Sequence, residues 1–562
     1  MNLRHSAAHL LAHAVTELYP DTLLTIGPAT AEGFFYDFLP TKNFKEEDLP
    51  KIAERMTEIV RRNFPLTHTQ VPTAEARTLF AHNRFKLELI DAINSDTVGI
   101  ARQGEFIDLC KGGHVAATGL LGNFKLTGLS GSYWRADRTN QALQRISGII
   151  FPTAEELASY EQQREELLKY DHRKLGTQLD LFSFHDEGVG FPFFHPKGTK
   201  ILNTLTHYLR TLHGQGGYQE IKTPILLKDT LWKQSGHYAH FKQNMYFCMI
   251  DNNSYAVRPM NCPGSILIYR QRPRSYRELP LRLAEFGLVH RHELSGVLNG
   301  LFRVRAFTID DAHIYCTPAQ IESEISDAIR LVYTVLKKFN FTDITVAVST
   351  RPADSMGSDT LWEQATNALT SALDIQKIPY EVHPGEGAFY GPKIEFRIKD
   401  SLGRLWQCGT IQVDFCQPDN FDLSYVSPQG TFERPVIIHR AIYGSLERFF
   451  GILLEHYRGA FPFWLAPVQM RILTITSDVS DYAHTILDQL LMAGFTAEID
   501  NSGSPINAQI RDAQQEKIPW MLVIGKKEKE AQTVTLRTRE GAQEFGLTLD
   551  QIITRGHNLS NC

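Results

Sequence analysis

Much that would mark an exported, membrane-bound or nucleotide-cradling protein is missing from this chain of 562 residues. No apolar run approaches the roughly 18 residues that a membrane-spanning helix needs. Met1-Asn2-Leu3-Arg4-His5 carries no apolar signal core, so nothing predicts membrane insertion or export. Cysteine is scarce, seven in all and without a CxxC pair. An odd, unpaired set argues against a disulfide scaffold and for a reduced, cytoplasmic protein. GxxxxGK[ST] does not occur, which excludes a P-loop NTPase, and the glycines of Gly385-Glu386-Gly387-Ala388-Phe389-Tyr390-Gly391 lack GxGxxG spacing. Neither sign of charge dominates: 58 Lys+Arg against 63 Asp+Glu leave a net charge of −5. A nucleic-acid partner must therefore be held by local patches. Repeats and low-complexity tracts are also lacking. One hydrophobic core cannot serve this length, and about three or four domains are expected.

What is there concentrates between Arg258 and His313. The stretch holds Arg258-Pro259-Met260-Asn261-Cys262-Pro263-Gly264, Leu283-Ala284-Glu285-Phe286-Gly287, His290-Arg291-His292-Glu293, Arg303-Val304-Arg305-Ala306-Phe307-Thr308 and Asp310-Asp311-Ala312-His313. Arginines, carboxylates, a cysteine and a histidine lie there among short β-rich runs, more reactive chemistry than folding requires. Upstream, His5, His9 and His13 recur every four residues in an apolar helical pattern, so they share one face. Asp108-Leu109-Cys110-Lys111-Gly112-Gly113-His114 adds CxxxH to that HxxxH. Four such side chains can meet at one point, which taken alone suggests a zinc hydrolase. Asn43 to Arg62 reads as a helix, and Thr153 to His172 as a polar, Glu-rich helical stretch. After Leu465-Ala466-Pro467, strands expected at Ile472–Thr476, Thr496–Ile499 and Trp520–Ile524 alternate with helices at Asp481–Leu491 and Ile506–Gln515. That alternation predicts a small α/β domain with a partly parallel sheet.

These stretches resemble the class II aminoacyl-tRNA synthetases, and in detail the threonyl-tRNA synthetase family, over nearly the whole chain. The resemblance implies an α+β multidomain protein: an N-terminal α+β editing domain over 1–152, a linker helix over 153–172, an antiparallel-sheet catalytic core over 173–462 and a C-terminal α/β anticodon-binding domain over 463–562. It implies ATP-dependent activation of L-threonine to the adenylate, transfer to the terminal adenosine of tRNA(Thr), and hydrolytic editing of seryl-tRNA(Thr). Phe193 to Pro224 resembles motif 1, which implies a homodimer.

Residue by residue, the resemblance makes Arg291 (motif 2) the bridge between the amino-acid carboxylate and the α-phosphate. Arg448, in Gly444-Ser445-Leu446-Glu447-Arg448-Phe449-Phe450-Gly451 (motif 3), holds the far phosphates. Glu293, Arg303 and Ser445 stand beside ATP and its Mg2+. Cys262, His313 and His439 are implied ligands of one Zn2+ per subunit, with Asp311, Tyr390, Gln407 and Gln412 around the amino acid. His237 and Lys393 serve transfer to tRNA, His237 as a general base with a pKa near neutrality. His5, His9, Asp108, Cys110 and His114 form the editing set, in which metal is not generally required and zinc is the lesser option. Glu528 and Arg537, assisted by Arg511, are the implied anticodon contacts.

Physical chemistry explains such a division. Arginine forks bind oxyanions bidentately and keep their charge, so two anions can be brought together. An apolar pocket separates a hydroxyl from its isostere, here threonine from valine, only about 10²-fold. A zinc with an open position, coordinated by amino and hydroxyl groups, rejects valine outright. Serine satisfies the same metal and lacks one methyl, worth only about 1–3 kcal/mol, so a separate hydrolytic site is required. Three features depart from the family pattern: Ile309 stands where Gln is usual, Leu294 where Pro is common, and a small ubiquitin-like (TGS) domain is expected ahead of the editing domain whereas this sequence starts almost at His5. A non-catalytic RNA-binding paralogue and a zinc hydrolase are the competing readings. The first is disfavoured because every motif arginine and zinc-ligand position is kept, the second because it leaves Arg291, Arg448 and the C-terminal domain without purpose.

Overall fold

The computed structural model describes every residue except 31–32, 138–139, 401–402 and 561–562. Contacts divide the chain into two compact units, Met1–Glu166 and Leu167–Cys562.

In the first unit the helix Asn2–Leu18 buries Ala7, Leu10, Leu11, Ala14 and Val15. It packs with the helix Leu49–Arg62 and the strand Phe34–Leu39 around one apolar core. Two antiparallel sheets complete the unit, one including Phe34–Leu39, Ala142–Ile150 and Phe124–Tyr133, the other Leu66–Pro72, Thr97–Gln103 and Phe106–Leu109. The helix expected from Asn43 starts only at Leu49, after a short 3-10 turn at Glu46–Asp48. Pro50 lies in its first turn, where a missing N–H costs nothing.

The second unit is built on an eight-stranded sheet. Its central strands Leu281–His290, Ala306–Cys316, Val436–Ala441, Leu405–Asp414, Lys393–Lys399 and Ile344–Ser349 are all antiparallel neighbours. Side chains alternate across it, as period two demands. Ile314, Ile438, Ile411, Val413 and Ile394 face a core closed by the helices Pro196–Gln215, Ile321–Lys338, Asp359–Ile375 and Leu446–His456. Ile321–Lys338 shows why such helices form: Ile321, Ile325, Ala328, Ile329, Val332 and Leu336 make one stripe, with Glu322 and Glu324 in the first turn and Lys337 and Lys338 in the last. The opposite residues on these strands, His313, His439, Gln412 and Lys393, face a cleft.

Residues beyond Leu465 form a five-stranded sheet in the order Ala497–Ile499, Met470–Thr474, Trp520–Ile524, Val534–Thr538, Gln543–Leu547. The first three strands are parallel and the last two antiparallel, the partly parallel α/β pattern expected from the sequence.

Candidate active site and candidate hydrolytic cluster

Strand register aligns the cleft. His313 lies opposite His439, His439 opposite Gln412, and Gln412 opposite Lys393, so residues from four different strands form one transverse row. Cys262 enters from a different element, at the start of the helix Cys262–Arg270. Cys262, His313 and His439 are 5%, 2% and 6% exposed. Each offers a ligand atom within 4.8 Å of the others. His439 Nε2 lies 2.9 Å from Asp414 Oδ2, so its other ring nitrogen remains for a ligand role. Asp414 is fully buried and held by the Cys416 and Gln417 amides at 2.8 and 2.9 Å. Its only sequence signal is a carboxylate two residues after Gln412, on the same face of the strand Leu405–Asp414. Burial holds the His313 imidazole well below its usual pKa, reinforced by the nearby His439 and Arg440, so it is neutral and able to donate a lone pair.

Around this group lies a cleft of about 500 Å³, lined among others by Arg291, Glu293, Arg303, Ile309, Asp311, Tyr390, Gln407, Gln412, Ser445 and Arg448. Arg291 donates through Nε to the Pro259 carbonyl (3.2 Å), with its guanidinium 5.4 and 5.1 Å from the Phe241 and Phe307 ring centres. Arg448 donates to the carbonyls of Phe302 (Nε, 2.9 Å) and Gln407 (Nη1, 3.2 Å). These anchors fix both guanidinium planes while edges remain toward the cleft. Arg303 pairs with Glu293 at 3.2 Å. Asp311 accepts from Asn261 Nδ2 at 2.7 Å, and the Tyr390 hydroxyl donates to Gln412 Oε1 at 2.7 Å. Lys393 is paired with Glu395. Ile309 is half-buried opposite Gly287 and bridges to Ser445.

Two expectations meet a different environment. His237 is fully buried, with Nδ1 2.7 Å from Ser235 Oγ and Nε2 3.0 Å from Met260 Sδ. Burial, with the nearby His439 and Arg291 charges, lowers its pKa to about 3 rather than leaving it near neutrality. Such a group is a weak base without an open face. Ser445 is the N-cap of the helix Leu446–His456: its oxygen accepts from the Arg448 amide (3.2 Å) and its hydroxyl donates to Glu447 (3.0 Å).

In the first unit the histidines converge as their spacing implies. Cys110 Sγ lies 3.0 Å from His114 Nε2 and 3.5 Å from His5 Nε2, and His5 and His9 approach to 3.3 Å. Gly112 and Gly113, at φ +95° and +87°, let the loop fold His114 back onto Cys110. Burial alone would raise the Cys110 thiol, but hydrogen bonds from His114, His5 and His9 outweigh it and bring the pKa down to about 3. His9 Nδ1 lies 3.1 Å from Asp108, which also takes Lys86 Nζ (2.5 Å), the Tyr36 hydroxyl (2.6 Å) and the Leu109 amide (2.8 Å). Against the penalty of burial, Asp108 raises the His9 pKa to about 9. Tyr36 and Lys86 were not legible as members of this set, since neither stands near it in sequence. His13 shares the helical face but not the cluster, being held 3.0 Å from Gln103 and 3.2 Å from Glu17.

In the C-terminal fold, Glu528 accepts from the Gly525 amide (2.9 Å) and Thr535 hydroxyl (3.0 Å), capping the helix Lys526–Ala531. Arg537 is half-buried on the strand Val534–Thr538, and Arg511 is exposed on the helix Ile506–Gln515.

Comparison with known proteins agrees with this architecture. Residues 246–457 match the tRNA synthetase class II core domain (G, H, P, S and T), 467–555 the anticodon binding domain, and 98–147 the threonyl and alanyl tRNA synthetase second additional domain. The threonine–tRNA ligase of Carboxydothermus hydrogenoformans is 51% identical over 97% of this chain and 86% of its own length. That of Caldanaerobacter subterraneus is 50% identical over 98% and 86%. A crystal structure described as the RNA binding domain of threonyl-tRNA synthetase from Cryptosporidium parvum superposes with a TM-score of 0.68 at 42% identity, covering 69% of this chain and 98% of that one. A class II core carrying paired arginines, an appended anticodon-binding fold and relatives at half identity over nearly the full length lead to one assignment: the chain belongs to the threonyl-tRNA synthetase family of class II aminoacyl-tRNA synthetases.

Proposed function

We propose that this protein activates L-threonine with ATP and transfers it to tRNA(Thr), with the 173–462 region as catalytic core, 463–562 as anticodon-binding domain and 1–152 as editing domain. The convergence of Cys262, His313 and His439 beside Arg291 and Arg448 in one cleft carries the reading. A cysteine sulfur and two imidazoles suit Zn2+ and leave a fourth position open to substrate. When bound there, zinc supplies a Lewis-acid contact for the amino and hydroxyl groups of threonine. Asp311 stands ready to accept from that hydroxyl, and Tyr390, Gln407 and Gln412 close around the amino acid. Arg291 bridges its carboxylate and the α-phosphate during in-line attack, and Arg448 holds the far phosphates. Glu293 and Arg303 are the further ATP contacts, and Mg2+ accompanies the nucleotide. Lys393 serves transfer to the terminal adenosine. His237, buried against the ligand set, supports the cleft wall instead of taking the ribose proton. Glu528 and Arg537 meet the anticodon, assisted by Arg511. The helix Pro196–Gln215 is the proposed homodimer face, and the cytoplasm the proposed site of action.

The test is amino-acid-dependent exchange of pyrophosphate into ATP with threonine, serine and valine side by side. Threonine is expected to support exchange, serine to do so about 10–200-fold less efficiently, and valine not at all. Exchange that valine supports as well as serine contradicts the reading.

Asp414→Asn is expected to loosen zinc about 10–100-fold, because a carboxylate that orients a ligating imidazole contributes that much. Competition with a chromophoric chelator measures it, and unchanged affinity would remove Asp414 from the account.

A further inference from the structure

A buried histidine outside the cleft holds one of its walls. His172 is 1% exposed, and Glu455, the acid beside it, is 2% exposed. His172 Nδ1 lies 2.8 Å from Glu455 Oε1, which also accepts the His172 main-chain N–H at 3.1 Å. The Leu301 amide donates to His172 Nε2 at 3.0 Å. Because Nε2 accepts, Nδ1 carries the proton, and both ring nitrogens are engaged.

Glu455 and Arg448 stand seven residues apart on the helix Leu446–His456, about two turns and so on one face. That helix therefore grips the segment Leu301–Phe302 twice: directly, by Arg448 Nε on the Phe302 carbonyl (2.9 Å), and through His172 on the Leu301 amide. Phe302 lines the cleft, its ring 4.1 Å from the His172 ring and 4.7 Å from Trp406, over which the Arg448 guanidinium lies at 5.5 Å. The preceding residue admits no side chain: Gly300 has φ +48°, and a Cβ there would come within 2.2 Å of His172 Nε2. We propose that His172 is a positioning residue for the ATP subsite, fixing Arg448 through Leu301 and Phe302. The proposal rests on the reading of Arg448 as an ATP contact.

His172→Phe keeps the ring volume and stacking while removing both hydrogen bonds. It leaves the buried Leu301 amide unpaired, and the KM for ATP in pyrophosphate exchange is expected to rise about tenfold. The KM for threonine should stay within about twofold, since the zinc-ligand side of the cleft is untouched. In His172→Gln the side-chain oxygen can accept from Leu301 and the amide donate to Glu455, so most of the ATP affinity should return. Gly300→Ala displaces the same ring from the loop side and should reproduce the effect; it also serves if His172→Phe does not fold. An unchanged KM for ATP, or equal rises for ATP and threonine, would overturn the proposal. Arg448→Ala separates the two levels: if it leaves the KM for ATP unchanged, the ATP-site reading itself fails, and if it alone raises that KM, only the role of His172 fails.

Discussion

His439→Ala is expected to abolish threonine-dependent pyrophosphate exchange, a fall of at least about 10³-fold. A site built to engage a polar substrate group loses that much when the engagement is removed. The reason is geometric. His439 faces His313 across two strands, is aimed by Asp414, and shares its row with Gln412. After the substitution two donors remain where three stood. Zinc content should fall with activity, and Cys262→Ala should do the same from the other side of the cluster. A His439→Ala protein that unfolds with the wild-type transition yet exchanges at a tenth of the wild-type rate or better would show that threonine is recognised by other means.

His9→Ala is expected to leave exchange unchanged and to slow deacylation of seryl-tRNA by about 10²–10⁴-fold, the range of a positioned proton-transfer group. His9 joins the buried Asp108, Lys86 and Tyr36 network to the Cys110, His5 and His114 cluster. Without it the protonated partner of the Cys110 thiolate is lost and the cluster loses its hold on Asp108. Seryl-tRNA(Thr) should accumulate in aminoacylation with serine. Equal loss of exchange in His9→Ala and His439→Ala would contradict the separation of synthesis from hydrolysis.

These two sites differ in how far the sequence reveals them. The hydrolytic cluster is legible because its spacing is local: helical periodicity puts His5 and His9 on one face, and two glycines fold His114 back onto Cys110. Its supports, Tyr36 and Lys86, are not, because only the packing of a strand and a helix distant in sequence brings them to Asp108. The row His313, His439, Gln412 and Lys393 depends on the register of four strands distant in sequence, which no spacing rule encodes; family resemblance alone singled those residues out. Asp414 gives only the weak signal of its place two residues after Gln412, and His172 gives none, since a buried acid or histidine reads as an ordinary polar residue until its partners are known. His237 shows the converse: its residue type suggests a base near neutrality, whereas burial lowers its pKa to about 3. Ser445 and Glu528 cap helices in addition to the roles the resemblance implies, a contact set by helix starts that sequence locates only to within a few residues.

The central claim is that a metal held by one sulfur and two nitrogens reads the β-hydroxyl of the amino acid. X-ray absorption at the zinc edge, on the full chain with and without amino acid, tests it most directly. One sulfur and two imidazole nitrogens should be found in the free protein, lost as a set in Cys262→Ala, and threonine but not valine should change the remaining coordination. A spectrum that threonine leaves unaltered, or zinc that persists with the same ligands in Cys262→Ala, would contradict the account.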